Sequence, residues 1–562
     1  MWIADRLAKF ESVKGTCTEM TLRRGRFLGF LASVAFLCAA LSGQDAKTSG
    51  PTNTNVTAED LLKQPVGEDW TSYNGDYSGR RFSSLRQIDT TNVAQLRAAW
   101  VFHPGNTQTL EATPIVVRGI MYVTSSNDVI ALDARTGRTV WRHQRGLSSG
   151  LLDDAAAHKN RGVAVWKNFV YSETDDAHLL CLDARSGAVL WEVQYADKEK
   201  HYGATSAPLI VRDLVIVGTS GGDSGVRGFL AAYDALTGKF KWKLWTIPGP
   251  GEFGAWLGDS YLYGGGTTWM PGTYDPELDT LYWTTSNAAP DFVGDSRPGD
   301  NLYTACVLAI DPNTGKLKWY YQFTPHDLYD YDANETPVLL DRQENGTVQH
   351  LLVQANRNGF FYLLDRTNGK FLRATPFVEK LDWATGIDDK GRPILSGRVP
   401  TAKGTRICPG IVGASNWFSP SYNPNTGLFY VMATEGCNLY FASPRKFVKG
   451  ETYYNTGTKL PPGEHNQKIL LALSLADGKP AWRYPQVGRG DSWAGTMTTD
   501  GGVVFFGDDA TSFEAVDAST GKALWHFNTG QRIHASPMTY AVDGKQYIAI
   551  SAGSDVFTFA LP

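Results

Sequence analysis

The sequence predicts an all-β protein built as an eight-bladed β-propeller with tryptophan-docking repeats. One observation is a composition rich in turn formers and aromatic residues, with 58 Gly, 27 Pro, 17 Trp, 25 Tyr and 26 Phe among 562 residues. These residue types favour many short strands joined by tight turns. The second observation is a strand–turn–strand motif that recurs along most of the chain.

The repeated motif runs from an apolar strand through an Asp to a turn that closes on Gly, with a Trp four residues beyond that Gly. Clear copies are VIALDARTGRTVW, LLCLDARSGAVLW, LAAYDALTGKFKW, VLAIDPNTGKLKW and FEAVDASTGKALW. Weaker copies surround Asp365 and Gly478, and SPSYNPNTGLFYVMA adds an eighth. Gly supplies the positive φ of a tight hairpin, and we expect the Trp to pack on a neighbouring unit. Because one hairpin cannot bury its apolar face alone, repetition every ~50 residues predicts a ring of four-stranded sheets.

The N-terminal segment has a different character. Residues 1–44 are predicted to be a signal peptide, with basic residues at 23–26 and an apolar run at 27–42; Met20 is an alternative start if Met1 is misassigned. The apolar run is shorter than the roughly 20 residues of a spanning helix, so we expect cleavage near Ser42 or Gln44 and a soluble periplasmic protein. An uncleaved anchor is the alternative. Residues 45–68 are expected to be an exposed linker, and residues 69–562 a single eight-bladed propeller domain.

Charge and cysteine usage narrow the function classes. Removing residues 1–44 takes away six basic and three acidic residues, so the formal charge changes from −4 to −7, which argues against nucleic acid as a partner. Cys181 and Cys306 lie in apolar runs and are expected to be buried thiols, whereas Cys408 and Cys437 flank a strand pair and can form a disulfide. No CxxCH haem-attachment motif is present.

The stretch HDLYDYDANE at 326–335 places Asp330 and Asp332 on either side of one tyrosine. In an extended segment these side chains would point the same way and repel each other unless a cation lies between them. A solvated loop is the structural alternative.

Several segments together resemble the alcohol dehydrogenases that depend on pyrroloquinoline quinone (PQQ). They are SGGDSGVRGFLAAYDALTGK, GGGTTWM, YWTTSNAAP, TPHDLYDYDANE, ANRNGFFYLLDRTNGK and NWFSPSYNPNTGLFYV. The likeness extends from residue 69 to the C-terminus. It implies a quinoprotein that oxidises a primary alcohol to an aldehyde, with PQQ and one metal ion as cofactors. A soluble cytochrome c or another separate carrier would accept the electrons.

The resemblance also implies a metal site made of Asp223, Asn287, Asp330 and Asp332. Asp330 matches the general base that takes the proton of the substrate hydroxyl. Asp332 matches the extra carboxylate of members that use a lanthanide, whereas calcium-type members usually have a small neutral residue there. Asp223 stands where the family usually has Glu, so one ligand is a methylene shorter and Ca²⁺ stays an alternative to a lanthanide.

For the cofactor, Trp269 matches the tryptophan that stacks on the quinone, and Arg357 matches a catalytic arginine near the reactive carbonyl. The other matches to the cofactor site are Glu111, Arg161, Thr205, Ser220, Gly221, Gly222, Asn416 and Trp493. Polar residues at sheet edges also satisfy backbone groups. We therefore expect one or two of the six polar matches to be structural, and these six are Glu111, Arg161, Thr205, Ser220, Asn416 and Arg357. Ala155 and Ala156 replace the adjacent cysteines of many members, so the vicinal disulfide of those members cannot form here.

Two other functions remain open from the sequence. A non-enzymatic propeller scaffold of the cell envelope would need the repeats but not the carboxylates. A relative that binds PQQ with little turnover would keep the carboxylates but be limited by Asp223 and by the missing cysteine pair.

Overall fold

The computed structural model describes residues 54–562, apart from 106–107, 153–157, 345, 445, 455–456 and 491. Antiparallel strands dominate this part of the chain and form seven four-stranded sheets, one five-stranded sheet and two smaller ones. Helix α1 spans Ala58–Leu62, and short 3-10 helices span Val93–Gln95, Lys198–Lys200, Gly222–Ser224 and Ser260–Leu262. Within the described ranges, no helix combines the length and hydropathy required to span a bilayer.

Six of the sheets take their four strands from one stretch of chain each. The first contains β3 (Ile115–Val117), β4 (Ile120–Ser125), β5 (Asp128–Asp133) and β6 (Thr139–His143), and the second β7 (Ala164–Trp166), β8 (Phe169–Glu173), β9 (His178–Asp183) and β10 (Val189–Gln194). The third contains β11 (Leu209–Val211), β12 (Leu214–Val217), β13 (Phe229–Asp234) and β14 (Phe240–Trp245), and the fourth β15 (Thr273–Asp275), β16 (Thr280–Thr284), β17 (Cys306–Ile310) and β18 (Leu317–Gln322). The fifth contains β19 (Val338–Glu344), β20 (Thr347–Ala355), β21 (Phe360–Asp365) and β22 (Lys370–Pro376), and the sixth β26 (Ser421–Asn423), β27 (Leu428–Glu435), β30 (Gln467–Ser474) and β31 (Pro480–Pro485).

Two further sheets join the beginning of the described chain to its end. One contains β1 (Phe82–Ser83), β32 (Thr496–Thr499), β33 (Val503–Gly507), β34 (Ser512–Asp517) and β35 (Ala523–Asn528). The other contains β2 (Arg97–Phe102), β36 (Met538–Val542), β37 (Lys545–Ala552) and β38 (Asp555–Ala560), with β2 antiparallel to β38. Pairing of an early strand with the last strands closes the succession of sheets, as a β-propeller requires.

The two smaller sheets lie in the long interval that the repeats leave between β22 and β30. They consist of β23 (Ala384–Ile387) with β24 (Pro393–Leu395), and of β25 (Thr405–Ile407), β28 (Asn438–Tyr440) and β29 (Thr458–Lys459). The predicted disulfide is present, because Cys408 and Cys437 join the β25–β28 pair with an S–S distance of 2.07 Å. Cys181 and Cys306 are buried free thiols, as predicted.

The repeated motif connects most of the large sheets to the next one. In the second sheet, the Asp183 carboxylate accepts hydrogen bonds from backbone amides in its turn, and Gly187 closes that turn with a φ of 71°. A Cβ at Gly187 would lie 2.5 Å from the Trp141 ring of the first sheet, so only glycine lets that indole dock there. The same docking joins Trp100 to Gly137, Trp191 to Gly238, Trp242 to Gly315, Trp319 to Gly369 and Trp482 to Gly521. Thr375 takes the place of the indole at Gly478.

The expectation of an exposed linker at 45–68 is wrong for its described part, residues 54–68. Val56, Leu61 and Val66 are each at most 5% exposed and belong to the main apolar cluster. The Val56 amide donates to the Lys167 carbonyl, and the Val66 carbonyl accepts from the Ser84 amide. Burial of these apolar side chains favours a packed segment over a solvated one. The predicted signal peptide lies outside the described residues.

Candidate active site

All fourteen residues predicted for the site line one cavity of about 300 Å³. They are Glu111, Arg161, Thr205, Ser220, Gly221, Gly222, Asp223, Trp269, Asn287, Asp330, Asp332, Arg357, Asn416 and Trp493. Four residues that the sequence analysis did not single out also line it, namely Lys159, Thr267, Ser286 and Trp417. Its volume is at the small end of the range for ligand pockets, which suits a compact cofactor.

These residues meet because of how each sheet begins. An antiparallel hairpin is entered and left at the same end, so the residues before its first strand lie beside those after its second. The segments that precede first strands provide Glu111, Arg161, Thr205, Trp269, Asp332, Asn416 and Trp493. The segments that follow second strands provide Ser220 to Asp223 after β12, Asn287 after β16 and Arg357 after β20. Seven sheets therefore contribute to one cavity.

The acidic end of the cavity consists of Asp223, Asn287, Asp330, Asp332 and Arg357. Arg357 bridges the two aspartates of the Asp-Tyr-Asp stretch, with Nη2 2.9 Å from Asp330 Oδ2 and Nη1 3.0 Å from Asp332 Oδ2. Arg357 Nη2 also donates to the Ile411 carbonyl at 2.6 Å. The three charged side chains are only 8–13% exposed, so this bridge is a buried one.

The 326–335 stretch is not a strand, so the extended geometry considered for it is wrong. Asp330 has a left-handed backbone with φ of 60°. Aspartate tolerates that region better than most residues. Asp327 organises the turn by accepting from the amides of Tyr329 and Tyr331 at 3.0 and 2.9 Å. Both Asp330 and the second aspartate still face one cavity, where the guanidinium is a cation that bridges them.

Asn287 and Asp223 complete the acidic end. The Asn287 backbone amide donates to Asp332 Oδ1 at 2.6 Å, and Asn287 Nδ2 lies 3.4 Å from Asp223 Oδ1. Asp223 sits in the 3-10 turn Gly222–Ser224, between Gly221 and Gly225, both of which have left-handed backbones. The backbone itself therefore brings this short carboxylate to the cavity wall.

Burial raises the pKa values of the Asp330 and Asp332 carboxyl groups, and at Asp330 repulsion by other carboxylates adds to the shift. The pKa of Asp330 is raised well above its ordinary value, chiefly by burial, while Arg357 opposes the shift and Asp332 and Asp223 add to it. Burial likewise raises the pKa of Asp332, again against Arg357. One guanidinium does not neutralise three carboxylates, so a hard cation with oxygen ligands fits this end of the cavity.

The aromatic end consists of Glu111, Arg161, Thr205, Trp269 and Trp417. The Arg161 guanidinium carbon lies 4.9 Å from the Trp269 ring centre and 4.5 Å from that of Trp417, between the two indoles. Arg161 donates to Glu111 Oε2 at 2.7 Å and to the Thr205 carbonyl at 2.9 Å. Its Nε is buried and has no hydrogen-bond partner among the described residues. Flat indoles beside an available cationic donor fit a planar, anionic ligand such as PQQ.

Neighbouring residues extend this wall. Trp493 stacks on Trp417 with a centroid distance of 6.2 Å and an interplanar angle of 12°. Lys159 Nζ lies 3.6 Å from Glu111 Oε1 and brings a second positive charge to the cavity. Asn416 donates to the Val412 carbonyl and accepts from the Trp417 amide, so its side chain orders the loop that carries Trp417.

The four missed residues each lie within two positions of a predicted one. HKNRG places Lys159 beside Arg161, and NWF places Trp417 directly after an asparagine of the site. Thr267 and Ser286 stand in the GGGTTWM and TTSNAAP segments. Basic residues, tryptophans and hydroxyl residues are common in these repeats, and only three-dimensional proximity distinguishes these four. Ala155 and Ala156 lie outside the described residues.

The sheets and the cavity fit a class of β-propeller protein whose central residues can hold a hard cation beside a flat, anionic cofactor. A family model described as "Glucose/ethanol/alcohol dehydrogenase, beta-propeller domain" matches residues 70–380 and 481–548. The chain belongs to this PQQ-dependent alcohol dehydrogenase family, which confirms the predicted resemblance and the propeller class. It is a PQQ-dependent alcohol dehydrogenase by this membership, so the scaffold alternative is not supported.

Individual relatives agree with this assignment. The chain is 40% identical over 514 residues to quinohemoprotein alcohol dehydrogenase ADH IIB of Pseudomonas putida, covering 87% of this chain and 74% of that one. It is 34% identical to a lanthanide-dependent methanol dehydrogenase of Methylacidiphilum fumariolicum, covering 88% and 85%. The solved structure of a europium-containing methanol dehydrogenase superposes with a TM-score of 0.83 at 31% identity, covering 90% and 99%.

Proposed function

We propose that this protein is an exported, periplasmic quinoprotein that oxidises a primary alcohol to an aldehyde, with Asp330 as the general base. The observation that carries the proposal is the convergence of Asp330, Asp332, Asn287 and Arg357 at one end of a cavity whose other end is cationic and aromatic. In this proposal, residues 69–562 are one domain, and the eight large sheets are the blades of an eight-bladed ring around that cavity.

Each side chain then has a task at a stated atom. When bound, PQQ supplies the two-electron acceptor, and its metal ion supplies a Lewis acid. The Asp330 carboxylate takes the proton of the substrate hydroxyl, since an alkoxide is costly without a base within hydrogen-bond reach. Arg357 Nη2, 2.9 Å from Asp330 Oδ2, fixes the orientation of that carboxylate.

The residues proposed to contact the cofactor are those of the aromatic end and several others that line the cavity. Trp269 offers the stacking face, and Arg161 and Lys159 offer positive charge to the carboxylates of the cofactor. Trp493 supports this wall through its stack on Trp417. The remaining lining residues provide polar contacts or close backbone approach, and they are Glu111, Thr205, Ser220, Asn416, Gly221 and Gly222.

For the metal we propose a lanthanide held by Asp223, Asn287, Asp330 and Asp332, with Ca²⁺ as the alternative. The second aspartate of the Asp-Tyr-Asp stretch supports a trivalent ion, because each added anionic oxygen favours the higher charge. The relative named as lanthanide-dependent and the europium-containing structure agree with this choice. Ca²⁺ stays the alternative because the Asp223 side chain is one methylene shorter than the usual Glu.

Electrons would leave to a separate soluble cytochrome c or an equivalent carrier. Oxidation of an alcohol to an aldehyde releases two electrons, so the reduced cofactor needs such an acceptor before the next turnover. The basic and apolar segment at 23–42 supports export.

Reconstitution tests the proposal. Apo-protein supplied with PQQ and either La³⁺ or Ca²⁺ should oxidise primary alcohols in a dye-linked assay. Asp330→Asn should lower kcat by about 10²- to 10⁴-fold while the protein retains bound quinone, because general-base catalysis contributes on that scale. Asp295→Asn is the matched control, since it changes an exposed aspartate in the loop between β16 and β17 and should leave kcat unchanged.

Two outcomes would count against this function. Absence of activity with either metal would contradict it. Activity below that of relatives by several orders of magnitude would instead favour a PQQ-binding protein with little turnover.

A further inference from the structure

We propose that Asp291 is a positioning residue of the metal site, which orients the Asn287 amide and biases the site toward a trivalent cation. This inference rests on the proposed function, because it assigns a further residue to the same metal. Asp291 follows Asn287 by four positions in SNAAPD and was not among the residues that the sequence predicted.

The contacts of Asp291 place it directly behind the metal site. Its side chain is fully buried, and its Oδ1 accepts from Asn287 Nδ2 at 3.0 Å. The same Nδ2 lies 3.4 Å from Asp223 Oδ1. Because carboxylates only accept hydrogen bonds when ionised, the nitrogen of the amide must be the atom between them. The Asn287 oxygen is thereby left to face other partners, as a metal ligand requires.

The other carboxylate oxygen of Asp291, Oδ2, has a different environment. Asp291 Oδ2 is buried and has no hydrogen-bond partner among the described residues. A buried anionic oxygen without a partner is costly unless a positive charge lies nearby.

The Arg297 guanidinium donates to the Asp291 backbone carbonyl at 3.2 Å, but it does not hydrogen-bond that side-chain oxygen. Arg297 is buried, but its donors are directed at other oxygens. They reach the carbonyls of Pro290, Asp291 and Asp327 and the Asn301 side chain. The Asp291 carboxylate therefore depends on charge at a longer distance.

The charges that act on Asp291 are mostly of its own sign. The charged groups that act on it are the carboxylates of Asp223, Asp330 and Asp327 and the guanidinium of Arg297. A cation at the metal site would supply the positive charge that this group of carboxylates lacks. Because the attraction of a fixed negative charge scales with the charge of the ion, Asp291 stabilises a trivalent ion about 1.5 times as much as a divalent one.

Metal titration of Asp291→Asn tests this inference. Terbium luminescence sensitised by nearby aromatic residues reports Tb³⁺ binding, and competition with Ca²⁺ gives the second affinity. We expect Tb³⁺ affinity to fall about 10- to 100-fold, the usual effect of removing a carboxylate behind a ligand. Ca²⁺ affinity should fall only about 5- to 20-fold, because the lost attraction scales with the charge of the ion. Asp295→Asn controls for loss of an exposed carboxylate in the same loop.

Two further variants keep the result interpretable. Asp291→Glu retains the charge and should keep most of the preference for Tb³⁺. Asp291→Ser also removes the charge, and it provides the same comparison if Asp291→Asn does not fold. Affinities equal to those of wild type, or an equal loss for both ions, would overturn the inference and leave the proposed function intact. A wild-type protein that binds neither ion would overturn both.

Discussion

Replacing Arg357 with methionine should destabilise the metal-free protein much more than the metal-bound one. The guanidinium bridges Asp330 and Asp332 at 2.9 and 3.0 Å and donates to the Ile411 carbonyl. Methionine fills a similar volume without charge or donors, so the change removes the bridge and leaves two buried carboxylates facing each other.

The size of the effect follows from the burial of these groups. Removing one partner of a buried ion pair costs about 3–5 kcal/mol, because the remaining charge loses its compensation. For roughly 500 ordered residues, an unfolding entropy near 2.1 cal/mol/K per residue gives about 1 kcal/mol per kelvin, so Tm should fall by about 3–5 °C. A bound cation gives both carboxylates a new partner, and the loss should then shrink to about 1–2 °C.

Thermal unfolding with and without one equivalent of La³⁺ measures this difference. Arg366→Met is a matched control, because Arg366 bridges Asp275 and Asp341 at 2.6 and 2.7 Å and donates to the Leu340 carbonyl. Its loss of stability should not depend on La³⁺. The reasoning is refuted if Arg357→Met loses the same Tm with and without the ion.

Two other predictions concern the buried carboxyl group of Glu173 and the disulfide between Cys408 and Cys437. Burial raises the pKa of Glu173 from 4.5 to about 8, so the stability contributed by its protonation is fully present below pH 4.5 and is lost as the pH rises through about 8. Glu173→Gln should therefore be more stable than wild type at pH 9, by up to roughly 5 kcal/mol, and match it at pH 4.5 in denaturation experiments. Replacing both Cys408 and Cys437 with serine should cost about 3–4 kcal/mol from loop entropy, since 29 positions separate them. The Ile411 carbonyl, which accepts a hydrogen bond from Arg357, lies three residues after Cys408. In steady-state assays the double serine variant should therefore lose more in kcat than it changes in KM. An unaltered kcat would contradict this coupling.

The repeating part of the fold was predictable because its signals are local. An Asp and a Gly in each turn, and a Trp four residues later, are fixed by the geometry of one hairpin and by its contact with the next. The packing of residues 54–68 was not predicted, because Val56, Leu61 and Val66 are too sparse to form a periodic pattern. Their burial depends on a surface that distant strands create.

Site residues that stand in segments resembling the family were predicted from the sequence. Residues that belong to the site only because the fold brings them close to it were missed. Asp330 and Asp332 were found, but their geometry was not, since two aspartates in a sequence reveal neither a left-handed backbone at Asp330 nor a guanidinium that follows β20. Asp291 looks like an ordinary loop residue in SNAAPDF. Its importance comes from the 3.0 Å contact with Asn287.

The cavity combines two ends of opposite character, and neither end is neutral by itself. The acidic end keeps three carboxylates beside one guanidinium, while the aromatic end keeps Arg161 and Lys159 beside one carboxylate, Glu111. A bound metal ion would offset the excess negative charge of the acidic end, and an anionic cofactor would offset the excess positive charge of the aromatic end. Both ends lie in one cavity of about 300 Å³. The bound metal ion and the bound cofactor should therefore each lower the electrostatic free energy that opposes binding of the other. Metal and quinone should for this reason bind more tightly together than either does alone, and titration of PQQ with and without La³⁺ measures that coupling.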